Sequence, residues 1–261
     1  MNEVNKTLYI PLCGKAYVSR RRLFLDDQKA EDIWAREGFP LNGKSRSRWL
    51  AFYLGIRAAV FDSWLRGKMA LHPDAVIVHI GCGLDSRVLR VGTGGHRWYD
   101  VDFPEVIEER KRFFPPLPGY AMVPGDARDP GFLSAIPRDV PAIVVMEGIS
   151  MYLTPEELKS LTGVLSNHFG SVHLLMDCYT GLAARLSKIK NPVRDVGVTQ
   201  VWGTDDPKSL DSETFLFVRE HPMTPQVYID ELRGAERTIF KRLYAGSMSR
   251  KLYRLYEYKG N

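Results

Sequence analysis

Glycines and carboxylates are spaced through the middle of the chain in an order that suits a nucleotide-like ligand. Gly81 and Gly83 end the apolar run Val76-Ile-Val-His-Ile80, in the stretch Ile-Gly-Cys-Gly-Leu-Asp-Ser-Arg87, with Asp85 in the same turn. Asp102 ends the next such run, Trp98 to Val101, about twenty residues further on, where a carboxylate can accept hydrogen bonds from both hydroxyls of a ribose. Asp126, in Pro124-Gly-Asp-Ala-Arg-Asp129, stands where an acid can accept from the exocyclic amine of adenine. Glu147 closes Val144-Val-Met146. An acid at that end of a parallel strand points into the crevice where such sheets hold ligands, and burying it without a partner is costly.

Each feature has a plainer reading. Two glycines one residue apart make a tight strand-to-helix turn about as often as a ligand turn, and Asp126 and Asp129 serve equally as loop caps. What discriminates is the combination. A dinucleotide would need a third glycine at position 86 so that its diphosphate can rest on a helix N-terminus, but Ser86 stands there. The Asp85 carboxylate beside it disfavours an anion and suits a cation. S-adenosylmethionine, with its sulfonium and ammonium groups, fits this pattern better than a dinucleotide does.

Positioning these groups requires a parallel sheet. After His72-Pro-Asp74 short apolar runs alternate with amphipathic segments: Val76–Ile80, Trp98–Val101, Ala121–Val123, Ala142–Met146 and Val172–Met176. Asp102-Phe-Pro104 starts a helix with a first-turn proline and following acids. Thr154-Pro-Glu-Glu157 starts another with a capping box, ahead of Leu158, Leu161 and Leu165 on one face. Leu23 to Trp34 and Trp49 to Leu65 show helical spacing, so the first 70 residues or so read as helical. Residues 190–213, polar and rich in Pro, Gly and Asp, read as a long loop or lid. Phe215–Arg219 and Leu252–Tyr258 read as strands flanking a helix that begins after Thr224-Pro225.

Bulk properties narrow the class. With 261 residues, 44% hydrophobic and 26% charged, the chain is long enough for one well-buried α/β domain. No apolar run approaches membrane-spanning length, and the N-terminus lacks the pattern of a secretory signal, so a cytoplasmic location is expected. The formal charge of +5 is scattered. Its densest cluster, Arg20, Arg21 and Arg22, lacks the interleaved aromatics of a single-strand nucleic-acid surface and reads as a solvated face, with attraction of a substrate carboxylate as the alternative. Neither nucleic acid nor membrane is expected as a partner. Cys13, Cys82 and Cys178 have no metal-ligand spacing and read as reduced, structural residues; no metal is expected. None of the six histidines falls in a recognisable motif.

The four stretches Ile-Gly-Cys-Gly-Leu-Asp-Ser-Arg87, Trp-Tyr-Asp-Val-Asp-Phe-Pro-Glu-Val106, Gly-Asp-Ala-Arg-Asp129 and Glu-Gly-Ile-Ser-Met-Tyr-Leu-Thr-Pro-Glu156 resemble, in that order, the leucine carboxyl methyltransferase family, including its polyketide carboxyl O-methyltransferase branch. The resemblance runs from about Lys15 to Leu165. It implies a class I methyltransferase Rossmann-like fold: a mostly parallel seven-stranded sheet with helices on both faces, preceded by an N-terminal helical cap. In domain terms it implies a cap over 1–70 and a cofactor-binding core over 71–261 with a lid insertion around 181–213, all in one integrated domain. It further implies that Gly81 and Gly83 line the methionine part of S-adenosylmethionine, that Asp102 holds the ribose, that Asp126 and Ala127 flank the adenine, and that Glu147 lies beside the methionine moiety. Arg57 resembles the family arginine for the cofactor carboxylate, and Lys15 a second cationic contact. Cys82, Ser86 and Ala127 depart from the usual alanine, threonine and leucine.

The expected reaction is methyl esterification of a carboxylate on a small, polyketide-like molecule. A carboxylate is ionised at neutral pH and needs no general base, whereas a phenol or alcohol would need one. Tyr152 is a candidate for orienting the acceptor, with a core aromatic as the alternative reading. Methylation of a protein C-terminus and non-catalytic cofactor binding stay open as alternatives, with a nicotinamide-linked oxidoreductase as a distant further one.

Overall fold

The computed structural model describes residues 5–38, 41, 43–187 and 200–261. Helices α1 (Tyr9–Arg20), α2 (Gln28–Glu37) and α3 (Arg48–Leu71) precede the sheet. The strands are β1 (Val76–Ile80), β2 (Trp98–Asp102), β3 (Tyr120–Pro124), β4 (Pro141–Met146), β5 (Ser171–Tyr179), β6 (Phe215–His221) and β7 (Tyr253–Gly260). Between them lie α4 (Arg87–Val91), α5 (Pro104–Lys111), α6 (Pro155–His168), α7 (Gly181–Ser187), α8 (Gln226–Ile229), α9 (Gly234–Leu243) and α10 (Ser247–Arg250).

The strands form one seven-stranded sheet in the order β3-β2-β1-β4-β5-β7-β6. Pairing is parallel from β3 to β5, while β7 runs antiparallel between β5 and β6. Every residue of β1 is buried, as expected of a central parallel strand covered on both faces. Its alternation divides two cores. Val76, Val78 and Ile80 pack with Leu158, Leu161 and Leu165 of α6, whereas Ile77 packs with Phe52, Ile56 and Trp64 of α3. A third apolar cluster joins α1, α2 and α3 through Ile10, Leu12, Ala30, Ile33 and Leu54.

The chain leaves β1 toward β2 on one side and returns to β4 on the other. The crevice above the C-terminal ends of β1 and β4 is therefore the topological switch point, where open α/β sheets hold ligands. Gly81 and Glu147 begin the loops at that place.

All seven expected strands are present, extended by a few residues at several ends. The proline of Pro104 lies at the start of α5, and Thr154 and Glu157 form the capping box of α6. Two helices differ from expectation. The expected helix over Leu23 to Trp34 starts only at Gln28, because the Asp27 side chain caps it by accepting from the Ala30 amide at 2.9 Å. Leu23, Phe24 and Leu25 lie instead in a turn with positive φ at Arg22 and Phe24, their side chains packed against the α3 core. The expected single helix after Pro225 is split into α8 and α9, with Gly234 at φ 52° opening the second. Of the expected loop over 190–213, residues 190–199 lie outside the described residues; Pro207–Leu210 form a short 3-10 turn. No helix among the described residues is long and apolar enough to cross a membrane.

Candidate active site

A cavity of about 610 Å³ opens at the switch point, within the roughly 300–1,000 Å³ usual for small-molecule sites. Lys15, Arg57, Gly81, Gly83, Asp102, Asp126, Ala127, Glu147 and Tyr152 all line it. The structure thus brings these nine residues together, from α1, α3 and the ends of four strands.

The glycine turn is built for close approach. Gly81 has φ 72°, and a Cβ there would come within 2.1 Å of the Ile149 side chain. Gly83 has φ 50°, and its amide donates to Asp102 Oδ2 at 2.7 Å. The Phe103 amide donates to Asp102 Oδ1 at 2.8 Å. These two amides fix the carboxylate at the end of β2. Burial nevertheless dominates, pushing the Asp102 pKa up to about 6.

Behind the turn lies a chain of buried ion pairs. Glu147 accepts from Arg57 Nε at 3.1 Å and from Arg87 Nη2. Arg57 Nη1 also donates to Asp177 Oδ2 at 2.7 Å. Asp85 pairs with Lys15 Nζ at 2.7 Å, Arg90 Nη1 at 2.8 Å and Arg87 Nη2 at 3.3 Å. Asp62 takes the Nε groups of Arg87 and Arg90, each at 2.8 Å. Asp27, besides capping α2, accepts from Ser86 Oγ and from Arg90 Nη1 at 2.6 Å. The surrounding guanidinium and ammonium groups hold Asp85 and Glu147 below the ordinary carboxylate range in spite of their desolvation.

This network corrects one physical reason drawn from the sequence. Asp85 does not present an uncompensated charge to a ligand; three cations of the protein engage it. Ser86 Oγ is likewise turned to Asp27. A diphosphate is disfavoured because residue 86 is not glycine and α4 is only five residues long, not because a bare acid repels it. Arg20, Arg21 and Arg22 lie apart from the cavity lining: Arg20 pairs with Glu31 and Arg21 with Glu236.

In the loop after β3, Asp126 is held by Arg128 through Nε at 2.9 Å and Nη2 at 2.5 Å. Much of the remaining lining is apolar and aromatic, with Leu12, Leu54, Met151, Tyr179 and Tyr253. Tyr152 also lines the cavity, packed against the cluster of Met151 and Tyr179, its hydroxyl pKa raised by burial. His79 is the lining histidine. Its Nε2 accepts from Arg87 Nη1 at 3.1 Å, and burial lowers its pKa.

Sequence reasoning missed Asp27, Asp62, Arg87, Arg90 and Asp177. Two of these carried a signal. Arg87 stands inside the glycine-turn stretch itself, and Asp177 interrupts the apolar β5 near its C-terminal end as Glu147 does after β4. Asp62 and Arg90 carried none, since a charged residue in an amphipathic helix normally faces water.

A seven-stranded sheet with this order, an antiparallel seventh strand and acids at the ends of β2 and β4 around a glycine turn define an S-adenosyl-L-methionine-dependent methyltransferase of class I fold. Comparison with known proteins agrees. The model of the family described as leucine carboxyl methyltransferase matches residues 12–165, and the chain belongs to that family. It is 29% identical over 259 residues to the tetracenomycin polyketide synthesis O-methyltransferase TcmP of Streptomyces glaucescens, covering 98% of this chain and 96% of that one. It is also 29% identical over 218 residues to the S-adenosyl-L-methionine-dependent methyltransferase dpfgK of Gibberella zeae, covering 72% and 70%. Among solved structures, the magnesium protoporphyrin IX methyltransferase of Synechocystis PCC 6803 with bound SAH shares the fold, with a TM-score of 0.54 at 13% identity, covering 90% of this chain and 96% of that chain. The chain is an S-adenosyl-L-methionine-dependent O-methyltransferase.

Proposed function

We propose that the chain methyl-esterifies a carboxylate on a small, largely apolar molecule of polyketide-like character. One observation carries this reading: among the described residues the cavity offers no unengaged base. Its lining acids Asp27, Asp85, Asp126 and Glu147 are tied to cations, Asp102 is held by two amides, and His79 faces Arg87. An acceptor that is already ionised needs none. The apolar and tyrosine-rich lining suits an apolar molecular body.

Bound S-adenosylmethionine supplies an electrophilic methyl group on a sulfonium; the chain supplies placement. Asp102, with a second lone pair on each oxygen, accepts from the ribose hydroxyls. Gly81 and Gly83 leave room for the methionine part, whose ammonium group meets Glu147. Arg57 Nη2 and the remaining protons of Lys15 meet its carboxylate. Asp126 and Ala127 flank the adenine, with Asp126 shared between the base and Arg128. Tyr152 orients the acceptor for in-line transfer, and most of the acceleration comes from that alignment.

The same reading takes residues 1–70 as a cap over a core of 71–261, because α1, α2 and α3 supply Leu12, Lys15, Ala30, Leu54 and Arg57 to a cavity whose other walls are the loops at the strand ends and α7, and takes 181–213 as a lid insertion. It places the protein in the cytoplasm with a small-molecule acceptor and without nucleic-acid or membrane partners.

Incubating the protein with cofactor labelled in its methyl group and a metabolite extract of the host checks the acceptor by mass spectrometry. Base-labile label in a small apolar acid is expected. Label recovered in protein C-termini, or none beside tight cofactor binding, replaces this reading. For the cofactor site, Asp102→Ala is expected to weaken S-adenosylmethionine binding by at least tenfold in calorimetry without unfolding the chain, since it removes charged acceptors worth about 1.5–3 kcal/mol. Unchanged affinity removes Asp102 from the ribose.

A further inference from the structure

Asp177 lies just outside the cavity lining and is fully buried. Each of its oxygens is engaged by a different part of the site. Oδ2 accepts from Arg57 Nη1 of α3 at 2.7 Å, and Oδ1 accepts from the Gly148 amide at 2.6 Å. Gly148 has φ 76°, and a Cβ on it would stand 3.2 Å from Arg57 Nη2, so the loop after β4 lies directly against the guanidinium. The next residue, Ile149, is the one packed under Gly81. A single carboxylate on β5 therefore anchors the Arg57 guanidinium and, through Gly148 and Ile149, the floor of the glycine turn.

We propose that Asp177 is a positioning residue for cofactor binding: it anchors Arg57 from behind so that Glu147 is not drawn into a two-pronged pair with it. Arg57 reaches Glu147 through Nε alone, at 3.1 Å, while Asp177 holds Nη1 and so fixes the angle of the guanidinium. Without the Asp177 charge, Glu147 is the one acid among the described residues still paired with the guanidinium. A planar fork facing a single carboxylate closes on it through two parallel hydrogen bonds. That rotation takes both the Glu147 oxygens and Arg57 Nη2 away from the methionine end of the cofactor. The inference rests on the roles proposed above for Arg57 and Glu147.

The test uses the full chain and calorimetry with S-adenosylmethionine and S-adenosylhomocysteine. Asp177→Asn keeps an acceptor for the Gly148 amide and removes the charge that holds Arg57. It is expected to weaken both ligands about tenfold, a coupling of the size seen between contacting groups. In an Arg57→Met background the same change is expected to alter affinity less than twofold, because the residue it acts through is gone. Glu257→Gln serves as the control for stability alone. Glu257 is a buried acid paired with Lys68 at 2.7 Å away from the cavity, and its loss is expected to lower the unfolding temperature without changing affinity.

An Asp177→Asn protein that binds within twofold of the parent overturns the proposal. If that variant does not fold, R57M against R57M/D177N decides: equal affinities support it, and a further tenfold loss in the double variant overturns it. R57M that binds as tightly as the parent sinks the role given to Arg57 itself, and with it this inference. A weakened R57M beside an unaffected D177N sinks the inference alone.

Discussion

Asp102 shows how one residue can serve binding at a cost to folding. Its carboxylate accepts two backbone amides yet titrates at about 6 against an ordinary 3.8, because burial outweighs those hydrogen bonds. With the folded pKa raised, the folded chain holds the proton more tightly than the unfolded chain does. The stability this contributes is complete below pH 3.8 and is lost as pH rises through about 6, a change of at most about 3 kcal/mol. Cofactor binding runs the other way, since ribose hydroxyls need the ionised acceptor. Calorimetry from pH 5 to 8 is therefore expected to show S-adenosylmethionine affinity falling below about pH 6, while urea unfolding of Asp102→Asn shows a smaller loss of stability than the parent between pH 4 and about 6. Parallel pH profiles for the two proteins would show that Asp102 is not the titrating group.

At the scale of elements, the legible parts are those in which local chemistry and tertiary role coincide. β1 reads as a central strand because every position is apolar or, at His79, buried with Arg87 as partner. α6 reads from its capping box because Thr154 and Glu157 satisfy each other's amides without help from elsewhere. The start of α2 was misplaced for the opposite reason. Leu23, Phe24 and Leu25 fit a helical pattern but serve the α3 core from a turn, and the true start is set by Asp27, which also holds Ser86 and Arg90 from distant sequence. The glycine turn carries a prediction at this scale. Gly81→Ala places a Cβ within 2.1 Å of Ile149 at a positive φ, so the turn and the loop after β4 must separate. A loss of about 1–3 kcal/mol in urea unfolding is expected, together with weaker cofactor binding. Truncating Ile149 to alanine in the same chain is expected to restore part of the stability, and no recovery in that double variant would place the strain elsewhere.

Across the whole molecule, the site is held by charge rather than by apolar packing alone, and this is what the sequence conceals. The acids facing the cavity are legible because they end strands. The cations that hold Asp27, Asp85 and Glu147 come from α1, α3 and α4, at positions 15, 57, 87 and 90, and only folding shows that these meet. Arg87 is the hub. It is fully buried, with Asp62, Asp85 and Glu147 around it and the Phe61 ring 5.4 Å away. Replacing it with methionine keeps much of the volume but leaves three buried carboxylates sharing Lys15, Arg57 and Arg90. A loss of about 3–5 kcal/mol is expected, the usual result of removing one partner from a buried pair. Arg21→Met breaks an exposed pair with Glu236 and should cost less than about 1 kcal/mol. The two losses should also differ in their response to salt, since screening reaches the surface pair and not the buried hub. Urea unfolding of both variants at low and high ionic strength makes the comparison. If the Arg87 variant loses no more than the Arg21 variant, the buried lattice contributes nothing net to the fold, and its acids and cations would be kept in register for the cofactor alone.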